Sequence, residues 1–251
     1  MLRKDFKIEI CTNSAESVRA AIEAGADRIE LCAGMPEGGT TPSFGEIALV
    51  RELLPRGMHV IIRPRGGDFL YSEEECDVMI RDIDMAKKLG VDGVVLGCLT
   101  AEGDVDVDKM RRLMAAAGDM SVTFHRAFDM CREPLRALKT IEELGCERIL
   151  TSGQKGTAEE GICLLKELVA CAREVIIMPG CGVNAGNIEK IAKETGACEF
   201  HLSAREGVES AMIYRNPAVS MGGTVRIAEY GRDVTRAEKV REAIRALEEV
   251  R

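Results

Sequence analysis

The chain has 251 residues, 46% hydrophobic and 30% charged, with 4% aromatic and no Trp. That length can bury a full aliphatic core without staples. A net charge of −8 disfavours nucleic acid, which needs clustered Lys and Arg, and an anionic membrane surface. No apolar run of about 18 residues is present to span a bilayer. The N-terminus enters a strand at once and lacks the apolar core of a secretion signal, so the expected location is the cytoplasm. Ten cysteines without a Cys-x-x-Cys pair are expected as free thiols in a reducing compartment.

Phe6 to Cys11 alternates as a strand, and Asn13 or Ser14 can cap the helix that follows and stops at Gly25. A second strand runs from Arg28 to Ala33. A Gly-rich loop leads to Ser43 and Glu46, a capping box. His59 to Pro64 is a third strand, followed by Arg65-Gly66-Gly67-Asp68, and Ser72 with Glu75 opens the next helix. Gly93 to Cys98 is a fourth, wholly apolar strand. A helix near Asp106 to Ala117 precedes Ser121-Val122-Thr123-Phe124-His125-Arg126-Ala127-Phe128-Asp129, a fifth strand that ends in a base, a cation and a carboxylate. Such a trio suits a binding or catalytic site; the alternative is a core histidine beside a solvated Arg–Asp pair. Pro134 suits a helix start. Arg148 to Gly153, Val175 to Pro179 and Glu199 to Ser203 are strands six to eight, with a capping box at Thr157 and Glu160. Glu206 to Arg232 reads as loop, with turn signals at Asn216-Pro217 and Gly222-Gly223, and Thr235 to Val250 as an amphipathic helix.

Strand and helix thus alternate eight times, at roughly 30 residues per unit. A helix-stopping glycine precedes every even strand, at Gly25, Gly90, Gly145 and Gly196. A fourfold echo of this kind predicts a single-domain TIM (β/α)₈ barrel, with an open doubly wound sheet as the alternative. Residues 1–205 form the expected core, and 206–251 a loop and helix packed on the same domain.

In a barrel the strand face toward the helices is apolar. Ile8, Ile10, Ile29, Leu31, Val122, Phe124, Phe200 and Leu202 therefore face outward. Glu9, Cys11, Glu30, Cys32, Ile61, Arg63, Thr123, His125, His201 and Ser203 face inward, toward the C-terminal end where barrel sites form. Unpaired, such charges cost several kcal/mol each to bury, so they pair with one another or with a ligand. Glu30 or His125 is the candidate proton carrier. Candidate binding residues are Glu9, Arg63, Arg65, Arg126, Asp129, Ser152, His201 and Ser203, with Gly180 and Gly182 in a loop that could hold an anion. Glu30, Arg63, His125 and His201 are expected as one connected cluster, with a Glu30–Arg63 ion pair as its structural version. Cys11 and Cys32 take matching places on neighbouring strands. Two thiolates suit Cu(I), while two small filling residues are the plainer reading. His59 is expected to be structural.

Ile8-Glu9-Ile10-Cys11, Gly25-Ala26-Asp27-Arg28-Ile29-Glu30-Leu31-Cys32, Gly38-Gly39-Thr40-Thr41-Pro42-Ser43, Arg63-Pro64-Arg65-Gly66-Gly67-Asp68-Phe69, Phe124-His125-Arg126-Ala127-Phe128-Asp129, Leu150-Thr151-Ser152-Gly153-Gln154 and His201-Leu202-Ser203-Ala204 resemble the CutC family, over about Phe6 to Met221. The resemblance implies a cytoplasmic TIM barrel tied to copper homeostasis, a homo-oligomer built on dimers, and copper bound through cysteines, for which Cys11 and Cys32 fit best. An enzyme acting on a small anionic or phosphorylated metabolite, as an isomerase, lyase or hydrolase, is the alternative reading of the polar barrel mouth.

Overall fold

The computed structural model describes residues 1–221 and 228–250. Eight short parallel strands form its centre: β1 Lys7–Thr12, β2 Arg28–Leu31, β3 Met58–Ile61, β4 Gly93–Leu96, β5 Ser121–Phe124, β6 Arg148–Thr151, β7 Ile176–Pro179 and β8 Glu199–Leu202. Each pairs with its successor from β1 to β7, and β8 returns to pair with β1. β7 and β8 lie side by side but share no hydrogen-bonded ladder. The result is a nearly closed (β/α)₈ barrel, as the alternation predicts, and not an open doubly wound sheet.

Local chemistry starts the helices α1 Ala15–Glu23, α2 Phe44–Leu53, α3 Glu73–Lys88, α4 Val107–Ala117, α5 Pro134–Glu143, α6 Ile162–Cys171 and α7 Ile188–Thr195. Ser14 and Ser43 accept from backbone N–H groups three residues on, and Ser72 with Glu75 makes both halves of a capping box. The Thr157–Glu160 box also forms, but it closes a turn, and α6 begins only at Ile162.

Strand parity decides where the core sits. Ile8, Ile10, Ile29, Leu31, Val122, Phe124, Phe200 and Leu202 join one continuous apolar shell between strands and helices. Each such burial contributes about 1.5–3 kcal/mol. Cys11, Cys32 and Ile61 form a separate small cluster inside the barrel.

The tail is more ordered than its sequence suggests. Within the segment expected as loop, β9 Arg205–Glu209 and β10 Gly231–Thr235 form an antiparallel hairpin. Helix α8 Ala237–Glu248 then packs on α1 and α7. The Gly222-Gly223 turn signal lies outside the described residues. No helix among the described residues is long and apolar enough to cross a membrane.

Candidate functional site

The floor of the barrel is ionic. Arg28 follows the same parity as Glu30 and turns inward from β2, where it bonds Glu9 and reaches Glu199 at 2.8 Å. Arg148 reaches the same Glu199 oxygen at 2.7 Å. All four residues are buried. Burial works against ionisation of Glu9, but Arg28, joined by His201, outweighs it and holds the carboxyl well below its usual range. His59 lies level with Glu30 in the β2–β3 register. Burial pushes its ring down to about 4, and its Nδ1 stands 3.9 Å from Glu9 Oε2, on the ionic floor.

Above this floor His201 bridges to the mouth. Its Nδ1 donates to Glu9 Oε1 at 2.8 Å, and its Nε2 stands 3.5 Å from Glu30 Oε2. Burial favours the neutral ring, yet Cys11, Glu9 and Glu30 together hold its pKa well above the ordinary value. The Sγ atoms of Cys11 and Cys32 are 3.8 Å apart. Their mutual hydrogen bond, assisted by His201, holds the Cys11 thiol well below its usual range, while the same contact and burial hold Cys32 well above it. Burial pushes Glu30 up to about 8, so its carboxyl is largely protonated at neutral pH. Sγ of both cysteines and a Glu30 oxygen lie within 4.8 Å of one another.

Glu30, Cys11, Cys32, Arg63, His125 and His201 all line one cavity of about 720 Å³ at the C-terminal mouth. The single connected cluster expected of Glu30, Arg63, His125 and His201 does not form, and Glu30 and Arg63 make no ion pair. The register explains this. Glu30 is level with His59, so Arg63 lies four residues higher, about 13 Å in an extended chain. Arg63 instead donates to three backbone carbonyls, those of Glu37, Gly39 and Gly67, each at 2.8 Å. His125 Nδ1 accepts from the N–H of Ala127 at 3.3 Å. Burial, then the charge of Arg63, pushes its pKa down to about 3, so the ring is neutral. Phe69 covers both groups: its ring centroid is 5.0 Å from the Arg63 guanidinium and 4.9 Å from the His125 ring.

The Arg126–Asp129–Ser152 group is a clamp. Asp129 accepts from Thr151 Oγ1, from the N–H groups of Ser152 and Gln154, from Ser152 Oγ and from Arg126. This ties the turn after β5 to the loop after β6. Arg126 reaches the cavity wall, whereas Asp129 and Ser152 stay behind it. Arg65 lies outside the cavity, paired with Glu75 and Asp68 and stacked over Tyr71. Glu9 also lies beneath the cavity rather than in its wall.

Gly182 and Ser203 line the mouth. Gly180 does not, and a Cβ there would meet Leu150 Cδ1 at 2.4 Å, so this glycine permits close packing. Cys181 and Ala204 hold φ of 75° and 46°, left-handed values that cost an L-residue of order 1 kcal/mol. The N–H groups of Gly182, Val183 and Ala204 have no acceptor among the described residues. Arg205 and Lys239 stand in the same wall, and the Arg205 side chain makes no ion pair or hydrogen bond among the described residues. Sequence reading missed Lys239 and Phe69 as lining residues. It also missed Arg28, Arg148 and Glu199 as the floor, although Arg28 and Glu199 each sit two positions before an inward residue already marked.

The model of the CutC family matches residues 6–206. A CutC family protein of Bacteroides fragilis is 59% identical over 246 residues, covering 97% of this chain and 98% of its own. A human protein called a copper homeostasis protein cutC homolog is 47% identical over 237 residues, 94% of this chain and 87% of its own. A CutC structure from Streptococcus agalactiae superposes with a TM-score of 0.75 at 34% identity, over 79% of this chain and 98% of that one.

Proposed function

Because the chain belongs to the CutC family, we propose that it serves copper homeostasis by holding Cu(I) between Cys11 and Cys32. The observation that carries this reading is the thiol pair at the base of the mouth: Cys11 lies level with Glu30, Cys32 follows two residues further along, and their Sγ atoms stand 3.8 Å apart. Soft sulfur donors suit Cu(I), and the contact with Cys32 holds the Cys11 thiol well below its usual range. Glu30 stands as a third neighbour. Titration of the reduced protein against a Cu(I) chelator tests the reading. Replacing both cysteines by Ser is expected to weaken Cu(I) at least about 100-fold, roughly 2.7 kcal/mol. Unchanged affinity would move any copper site elsewhere, with Cys181 in the same wall as the first place to look. The proposal includes a cytoplasmic location and a homo-oligomer built on dimers, for which the exposed Ile213, Tyr214 and Met221 offer apolar surface.

A second reading, an enzyme acting on a small anionic or phosphorylated metabolite, is favoured by the free N–H groups of Gly182, Val183 and Ala204 beside Arg205. Glu30 and His201 would then supply proton transfer.

A further inference from the structure

Two buried side chains in the cavity wall each keep one nitrogen without a hydrogen-bond partner among the described residues. Arg63 is 5% exposed and His125 4% exposed, and Arg63 Nε and His125 Nε2 make no hydrogen bond. Arg63 also has no carboxylate within ion-pair distance among the described residues; its guanidinium is held by three carbonyl oxygens, with the neutral Tyr71 hydroxyl beside it. Buried cations without a counter-ion are rare because desolvation is costly, and a buried donor without an acceptor is costly for the same reason. The His125 proton is also placed. Nδ1 accepts from Ala127, so the neutral ring carries its hydrogen on Nε2. A donor of fixed direction and an unneutralised cation therefore share one wall, both beneath the Phe69 ring.

We propose that Arg63 and His125 form a binding site for the carboxylate or phosphate of a small anionic ligand, with the Phe69 side chain as its displaceable cover. The ligand brings the missing negative charge to Arg63 and an acceptor oxygen to His125 Nε2–H. The ring of Phe69 swings aside to admit it, while the backbone there stays fixed by the bond from Leu99 N–H to Phe69 O. This site stands apart from the copper reading, because neither cysteine takes part. It is also distinct from an anion on the loops after β7 and β8.

The test measures thermal stabilisation by sodium phosphate and by sodium oxalate, against sodium chloride at equal ionic strength, from which apparent affinities follow. The proteins are the wild type, Phe69→Ala, His125→Phe and His125→Gln. At least one anion is expected to stabilise the wild type beyond chloride, and Phe69→Ala to bind it several-fold more tightly. His125→Phe is expected to bind it about tenfold more weakly, and His125→Gln, which keeps a donor near the Nε2 position, to recover most of the loss. Phosphate alone acting would mark a phosphate-bearing ligand, and oxalate alone a carboxylate. No anion-specific stabilisation of either the wild type or Phe69→Ala overturns the proposal. So does equal affinity in the wild type and His125→Phe, which places the anion on the β7 and β8 loops and leaves the second reading standing. Loss of Cu(I) in the double Cys variant with anion binding unchanged separates the two sites.

Discussion

His201 donates from Nδ1 to Glu9 Oε1 across 2.8 Å, while its Nε2 stands 3.5 Å from Glu30. One imidazole thus joins the ionic floor, where two arginines meet two glutamates, to the mouth, which Glu30, Arg63 and His125 line. Glu9 carries that joint, because it also accepts from Arg28.

Glu9→Gln removes the charge between Arg28 and His201 and leaves Arg28 with Glu199 as its remaining carboxylate partner. Breaking a buried pair in this way costs about 3–5 kcal/mol. Urea unfolding is expected to show a loss in that range with the slope unchanged. A loss under about 1 kcal/mol would contradict the geometry.

Acid should act through His125. Its folded pKa of about 3 lies below the ordinary 6.5, so below pH 6.5 the unfolded chain binds the proton that the fold refuses. The stability it contributes is complete above pH 6.5 and is lost as pH falls toward 3. Between pH 7 and pH 5 this amounts to about 2 kcal/mol. His125→Gln should flatten the acid limb of the stability curve by about that amount, measured by unfolding at each pH. Parallel limbs in the two proteins would show that the ring ionises freely in the fold.

Copper loading should release few protons. Cys11 is held well below and Cys32 well above the usual thiol range. The first therefore ionises ahead of the second, so the protons released on binding fall short of two. Calorimetry in buffers of different ionisation enthalpy is expected to give fewer than two protons per Cu(I). A value near two would mean that Cys11 is an ordinary thiol.

Asp129→Asn tests the clamp between the turn after β5 and the loop after β6. Oδ1 accepts from Thr151 Oγ1 and the Gln154 N–H while Oδ2 accepts from Arg126 and Ser152 Oγ, and an amide can accept at only one of its two ends. The expected loss is about 2 kcal/mol, with faster proteolysis near Gln154. Unchanged stability would return Asp129 to the list of ligand-binding groups.

The barrel and its two faces were legible because alternation has a period of two, so Ile8 against Glu9 or Phe124 against His125 needs no further information. Height along the axis is another matter. It depends on register between strands, set by the whole ring rather than by any one segment. Parity therefore placed Glu30 and Arg63 on the same inner surface but could not show that they stand at different levels. The partners of Arg63 are main-chain carbonyls, and the contacts of a folded loop leave no mark in residue identity. The β9–β10 hairpin was hidden for a related reason. Arg-Glu-Gly-Val-Glu pairing with Gly-Arg-Asp-Val-Thr has little apolar alternation, and only Val234 and Thr235 of it are buried.

The unlaced seam between β7 and β8 has a mechanical meaning. Every other junction in the ring is held by a backbone ladder, so parting it sacrifices main-chain hydrogen bonds. Parting β7 from β8 sacrifices side-chain packing alone. The ring thus has one seam without a main-chain ladder, and the Gly182 and Ala204 loops follow the strands on its two sides. Slow opening there would appear as hydrogen exchange along β8 running ahead of exchange along β4.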